Sequence, residues 1–496
     1  MKSLSLVSVL LASGTMVGCL VGPKYQPPAT AAPEHWSEPL AGIETDRTES
    51  LAAWWQRFHD PELDSLVARA LRANPDLRIA DARVREARAE AGLAEAGLWP
   101  EANLSGSAGR AKQSGNQPLI GSALPPGTPL TSSVYQSGFD ASWELDLFGG
   151  ARRGTEAAYA DLAAAGFSRG DAQVQLAAEV ARNYVTARSY QQRLEIARQN
   201  IAAQRDGVTL AQDRYRQGLT SGLEPEQAAT VLAQTEAQVP SLESGLQTAI
   251  HHLGVLLGQR PGALGEELAA RAAIPAAPPQ VPAGLPSDLL RRRPDIRVAE
   301  RRLAAATAQI GVATAELFPK FSLTGNYGYL STGTGNLVTP RSSAWSVGPS
   351  FQWRLFDAGR IRAGIRAQNA RQEQALALYE KAVLTSFEDV ENALVALAKE
   401  QSRNQPLRIA VASSRNSLEI SRDQYRNGLT SFINVLDAER SLYQTEDTLV
   451  QSDQAVAQDV IALFKALGGG WEEPGTGKGA APARSGKDQV GMDGRG

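Results

Sequence analysis

The sequence predicts an α+β membrane protein: two tandem copies of one unit, each with bilayer-crossing strands and a very long helical hairpin. Three observations carry that expectation. The phrase "DRYRQGLTSG" at 213 returns as "DQYRNGLTSF" at 423, with seven of ten letters shared and an offset of 210 residues. Two stretches, 135–147 and 345–355, alternate apolar with polar side chains. After each comes an Ala/Gln/Arg/Glu-rich run of about 68 residues with an apolar seven-residue repeat.

The doubled phrase is one of three. "NPDLRIADARVREARAEAGLAEAGLWPEANLSG" (74–106) aligns with "RPDIRVAERRLAAATAQIGVATAELFPKFSLTG" (293–325), and "WELDLFGGARR" aligns with "FQWRLFDAGRIR" through Leu-Phe. The order is the same in both halves, so residues 71–270 and 293–467 form repeats 1 and 2, with 271–292 a Pro-rich linker. About eleven extra residues in repeat 1 fall in "KQSGNQPLIGSALPPGTPLTSS", a loop by composition. Two copies are too few for a solenoid, which needs at least about three.

Each copy opens with a helix that starts near "NPD" or "RPD" and stops at "LWP" or "LFP". Strands follow. Tyr135, Phe139, Trp143, Leu145 and Leu147 share a face, opposite Gln136, Asp140, Glu144 and Asp146. Trp345, Val347, Phe351, Trp353 and Leu355 repeat the pattern, and Phe321, Leu323, Tyr327 and Tyr329 make a third such face. A fourth strand, near "ANLSGSAGR", is weakly patterned. Roughly ten residues with a period of two and aromatic ends suit a transmembrane strand. A soluble sandwich would want about seven strands, and only four are legible. Four strands cannot close a barrel, and an open edge in lipid leaves backbone groups unpaired. The strands must be shared between chains; two would give eight and three would give twelve.

The long helices run from about 150 to 217 and 358 to 427, on the order of 100 Å each. Val180, Ala187, Leu194, Ile201, Val208 and Tyr215 recur every seven residues, as do Val390, Leu397, Asn404, Val411, Leu418 and Tyr425. So narrow a stripe is a coiled-coil seam. Companion positions are polar (Gln191, Arg198, Arg205; Gln401, Arg408, Arg415), which predicts a thin, partly wet contact, and Pro406 predicts a kink. Gly218 and Gly428 suit left-handed helix ends, the following Thr-Ser pairs offer oxygens to start the return, and Pro225 fits a first turn.

Composition narrows the function. The net charge is −3 and no long basic cluster appears, so nothing points to nucleic acid; "RRRPD" reads as a solvated helix start. The one cysteine, Cys19, excludes an intrachain disulfide and a thiolate zinc site. It ends "MKSLSLVSVLLASGTMVGC", whose apolar run is too short to span a bilayer. The ending "MVGC" resembles a bacterial lipobox: residues 1–18 would be a signal peptide, and Cys19 would carry a covalent lipid. An ordinary secretory signal is the competing reading. Leu20, where Asp would favour inner-membrane retention, favours the outer membrane. No metalloprotease, P-loop or dinucleotide motif appears, and adjacent His251 and His252 diverge on a helix, so neither an enzyme nor a metal site is expected. A coiled-coil scaffold would explain the heptads but not the amphipathic strands.

With these elements in place the chain resembles an outer-membrane factor of tripartite efflux systems, of the TolC-like, NodT-type lipoprotein branch. The motifs are "CLVGPKYQPP", "WWQRFHDPELDSLVARAL", "GLPSDLLRRRPDIRVAERRLAAATAQIGVA" and "NVLDAERSLYQTE". Residues 19–70 would be an N-terminal anchor and equatorial segment, and 468–496 a disordered tail. The resemblance implies a homotrimer, with twelve strands in one outer-membrane barrel continued by a periplasmic α-helical barrel. It implies a membrane-fusion adaptor and an inner-membrane RND pump as partners, and no cofactor beyond the lipid. It places adaptor docking on Gly218, Leu219, Thr220, Gly428, Leu429 and Thr430. It places a periplasmic gate on Tyr215, Glu224, Tyr425 and Asp437, with Gln227 and Asn434 at the matching positions; neutral Asn434 keeps only half of the acidic pattern. The implied function is a passive exit duct for drugs or other small molecules, and the alternative is the outer channel of type I protein secretion. After residue 18 the sole methionine is Met492, which argues against a methionine relay for copper or silver.

Overall fold

The computed structural model describes residues 20–37, 43–44, 50–112, 114, 129–278, 281–282 and 284–472. Strand β1 (Ile43–Glu44) and a short 3-10 turn (Trp54–Phe58) precede helices α1 (Pro61–Ala73) and α2 (Pro75–Ala96). Strands β2 (Glu101–Lys112) and β3 (Thr131–Leu145) follow, then the 67-residue helix α3 (Gly150–Arg216). Its return is split into α4 (Leu223–Glu236) and α5 (Val239–Leu256), with Pro240 at the start of α5. Strand β4 (Val281–Pro282) and helix α6 (Pro286–Arg292) lead to the second copy. That copy consists of α7 (Pro294–Ala315), β5 (Lys320–Ser331), β6 (Ser343–Gln352), α8 (Arg360–Arg426, again 67 residues) and an unbroken α9 (Phe432–Ala466).

Chain order follows the tandem repeat, but compactness does not. Of the described residues, those within 1–31, 81–167 and 295–384 form one compact unit, and those within 32–80, 168–294 and 385–496 form the other. Each unit draws on both copies. The segment expected as a linker, 271–292, contains α6 and β4, and β4 pairs in parallel with β1. Of the expected disordered tail, Gly468 to Glu472 are placed and bonded: Gly470 N–H donates to Leu51 O at 2.9 Å and Trp471 Nε1 to Arg292 O at 2.9 Å. Residues 473–496 lie outside the described residues, as do Cys19, the signal segment and residues 113 and 115–128 of the extra loop of repeat 1.

In the first unit the sheet runs β2-β3-β5-β6, antiparallel throughout. Register aligns Leu104, Phe139, Tyr327 and Trp345 in one row across all four strands. These apolar side chains are 51–71% exposed, so this face has no cover within the chain. The next row along the strands, on the opposite face, is Asn103, Asp140, Asn326 and Ser346, where Asn326 Nδ2 donates to Ser346 Oγ at 2.9 Å. The weakly patterned fourth strand is a full twelve residues because β3 offers a partner at every position. Facing Gly138 and Gly328 let two strands approach closely: a Cβ on Gly138 would lie 2.8 Å from Gly328 Cα. At both helix-to-strand corners a tryptophan indole clamps the turn, Trp143 to Leu98 O at 2.9 Å and Trp353 to Leu317 O at 3.0 Å. No described helix is long and apolar enough to cross a membrane.

In the second unit the heptad stripe is the buried seam. Val180, Ala187, Leu194 and Ile201 are buried, as are Val390, Leu397, Asn404, Val411, Leu418 and Tyr425. The polar companions do more than wet the contact. Arg198 pairs with Glu243 and Arg205 with Glu236 across the first hairpin. Arg408 with Asp453 and Arg415 with Glu446 repeat both pairs 210 residues on. Helix α8 runs on through Pro406. The two hairpins also bond to each other: Arg193 forks onto Asp447 at 2.6 and 3.2 Å, and Tyr443 Oη donates to Gln238 Oε1 at 2.6 Å.

Candidate functional site at the hairpin tips

Both long helices end alike. Gly218 and Gly428 have φ of +74° and +70°, a conformation that costs an L-residue about 1–2 kcal/mol. Gly218 N–H donates to Tyr215 O and Leu219 N–H to Arg214 O, both at 2.9 Å; Gly428 and Leu429 bond to Tyr425 and Gln424 in the same way. Each tip then presents one leucine outward, Leu219 62% and Leu429 77% exposed, beside half-buried Thr220 and Thr430.

The returning helices start differently from expectation. Ser431 occupies the cap position of α9 without a side-chain bond, and Gly222 caps α4. Ser221 Oγ receives the Leu223 N–H only at 3.4 Å, while Thr430 Oγ1 accepts from Asn434 Nδ2 at 2.7 Å. Neither returning helix has a side-chain cap bond from its cap residue, and apolar packing fixes the return: Ala211, Ala228, Val231, Leu418, Tyr425, Phe432, Val435 and Leu436 share one core drawn from both hairpins.

Tyr425 is at its centre. Its ring lies 5.0 Å from that of Phe432, and the Arg214 guanidinium sits over it, 4.6 Å from the centroid. Its hydroxyl donates to Glu224 Oε2 at 2.8 Å. Burial, reinforced by the Glu224 carboxylate and opposed by Arg214, pushes the phenol up to about 12. A neutral phenol therefore holds a carboxylate from the other hairpin.

The four expected gate residues are thus divided. Glu224 and Tyr425 meet. Tyr215, at the same place in the other copy, is 53% exposed and stands against Gly222. Asp437 is exposed, 3.4 Å from Arg440, and Asn434 is turned to Thr430. Arg214 and Phe432, which complete the Tyr425 cage, escaped the sequence reading; applying the 210-residue offset to every tip position would have exposed both. Above the cage Arg422 pairs with buried Glu439 at 2.8 Å. No group of three or more potential metal ligands gathers among the described residues.

Comparison with known proteins matches this architecture. Residues 66–259 and 285–469 match the family described as outer membrane efflux protein. Nodulation protein T of Rhizobium leguminosarum bv. trifolii is 34% identical over 458 residues, covering 92% of this chain and 95% of that protein. The pyoverdine export outer membrane protein OpmQ of Pseudomonas aeruginosa is 34% identical, covering 95% and 98%. A solved structure of the outer-membrane channel OprN superposes with a TM-score of 0.84 and 38% identity, covering 91% of this chain and all of that one. The unpartnered sheet edges have their explanation: three chains form a homotrimeric outer-membrane efflux duct, with twelve shared strands and a periplasmic helical barrel. Its partners are a membrane-fusion adaptor and an inner-membrane RND pump. The chain belongs to the outer membrane efflux protein family.

Proposed function

We propose that this duct carries small molecules and is gated at its hairpin tips, with the Tyr425–Glu224 bond as a latch. The bond supports the reading because it joins two hairpins at the end where helices must part for a passage to widen. A charge-assisted hydrogen bond of this kind contributes about 1.5–3 kcal/mol. Asp437 lines the approach and favours cations, its charge partly offset by Arg440. Gly218-Leu219-Thr220 and Gly428-Leu429-Thr430 dock the adaptor through their exposed leucines. Cys19 carries the lipid anchor. The chain performs no chemistry: it is a conduit, not an enzyme.

Relatives named for pyoverdine export, toluene efflux and antibiotic efflux favour a small-molecule cargo over secreted protein. The test is single-channel conductance of purified trimers in planar bilayers. Tyr425→Phe and Glu224→Gln should each raise conductance several-fold. Unchanged conductance in both would remove the gate from the tips.

A further inference from the structure

The four-stranded sheet carries its charges unevenly. Glu101, Asp140, Glu144 and Lys320 lie in the half nearer the helices. From residue 102 to 139 and from 321 to 353 the sequence holds no aspartate or glutamate, and its only charges are Arg110, Lys112 and Arg341. Arg110 and Lys112 close the far end of β2, and Arg341 stands in the short turn Pro340–Ser342 just before β6. All three are exposed, and no ion pair among the described residues engages any of them.

Register fixes the face of the first two. Arg110 pairs with Ser133 and Lys112 with Thr131, an even number of positions from the Leu104–Phe139 pair, so both share the apolar face of β2. That face starts beside the helices with a row of Leu145, Phe321 and Phe351, and its outermost aromatic residues are Tyr135 and Tyr329. The ten positions from Leu145 to Tyr135 span about 33 Å along the strand. At the usual barrel tilt that is a band about 25 Å tall, the apolar height of an outer-membrane barrel. Arg110 lies about 7 Å beyond the Tyr135 row and Lys112 about 13 Å beyond it. A cation on the lipid face is costly at mid-bilayer and nearly free at the interface, which is where this register puts both.

From this we infer that the outer rim of β2 docks a phosphorylated glycolipid of the outer leaflet, with Arg110 and Lys112 holding its phosphate. The site demands an amphipathic anion, because the cations continue an apolar face and not a water-filled groove. Acyl chains lie along Leu104, Phe139 and Tyr135, and the sugar phosphate sits beyond the tyrosine row. Arg110 offers a planar fork to two phosphate oxygens, and Lys112 adds a compact charge. No carboxylate of these segments competes for either cation. Strand β2 is also one edge of the sheet and β6 the other. When three chains close the barrel, β2 meets β6 of a neighbour, and Arg341 of the partner subunit joins the same rim. The trimer then has three such corners, one at each junction between chains.

The full-length lipidated trimer, washed free of native lipid in detergent, is titrated with bisphosphorylated lipid A, and bound lipid is counted by native mass spectrometry. Up to three tightly held molecules per trimer are expected. Each cation at an anionic lipid surface contributes about fivefold in affinity, so Arg110→Gln with Lys112→Gln should weaken binding at least tenfold. Lys112→Gln alone, at the last position of its strand, should weaken binding about fivefold, and it carries the test if the double variant does not assemble. Lys320→Gln, at the other end of the sheet, should change affinity less than twofold. Phosphatidylglycerol and inorganic phosphate should each bind at least tenfold more weakly than the glycolipid. Undiminished binding in the Arg110 and Lys112 variants would overturn the inference. So would an equal loss in Lys320→Gln, or phosphatidylglycerol binding as tightly as the glycolipid.

Discussion

The Arg422 guanidinium lies 2.8 Å from the Glu439 carboxylate, across the second hairpin and just above its tip. The counterparts in the first hairpin are Gln212 and Ala229, so only copy 2 has this third ion pair. Glu439 has a side chain only 5% exposed, and burial already raises its carboxyl above the usual range against the pull of Arg422. Arg422→Ala would strand that carboxylate, at a cost of about 3–5 kcal/mol. The raised carboxyl favours the protonated form, so the variant's deficit should grow as pH rises above 4.5. Arg422→Ala with Glu439→Leu should recover most of the loss in thermal unfolding of the extracted trimer.

Tyr425 gives an alkaline signature. Its phenol keeps its proton to about 12, whereas the unfolded chain releases it near 10. The folded state binds the extra proton between these values, so the contribution of this group is complete below pH 10 and is lost as pH rises toward 12. Comparing melting of Tyr425→Phe with the parent across that window should show a smaller alkaline decline in the variant.

Asp459 in α9 is half-buried near Glu400, which itself bonds to Ser452 and Arg403. Burial first, then the Glu400 charge, pushes its carboxyl up to about 6 from 3.8. The raised value means this group's contribution to stability is complete below pH 3.8 and is lost as pH rises through about 6. Asp459→Asn should raise the melting temperature at pH 7 and flatten the profile between pH 4 and 7. An unaltered profile would show that the carboxyl is solvated.

The tip glycines are held by conformation, not by crowding, since nothing lies within 4 Å of a Cβ built on either. Gly428→Ala should therefore cost only the left-handed strain of about 1–2 kcal/mol. Asn tolerates that conformation better, so Gly428→Asn should cost less. Leu219→Asp with Leu429→Asp should leave the trimer intact and weaken adaptor binding at least tenfold in a surface-capture assay.

Cys19→Ser should remove the acyl mass from the mature N-terminus, read directly by mass spectrometry. An unchanged mass would refute lipidation at that residue.

The long helices were almost fully legible. Heptads and the doubled phrase place them at 150–217 and 358–427, against Gly150–Arg216 and Arg360–Arg426 observed. Capping glycines and seven-residue repeats are local signals, carried by neighbours within two turns. The "ANLSGSAGR" strand had little local signal because its order comes from β3, and the 271–292 segment hid β4 because its partner, β1, lies more than 230 residues away. The polar heptad companions were visible as residues but not as ion pairs, since their partners sit on the returning helices.

The site shows the same division. The sequence by itself determined two equivalent tips and their glycine ends, because a helix terminus is specified by the few residues that build it. Only the tertiary structure decided that Tyr425 is caged and bonded to Glu224, 201 residues away, while Tyr215 is left facing outward. Two tyrosines in nearly identical phrases have the same local preferences. What separates them is which helix each one meets, and that is set by packing across the chain, where the two copies no longer carry the same side chains.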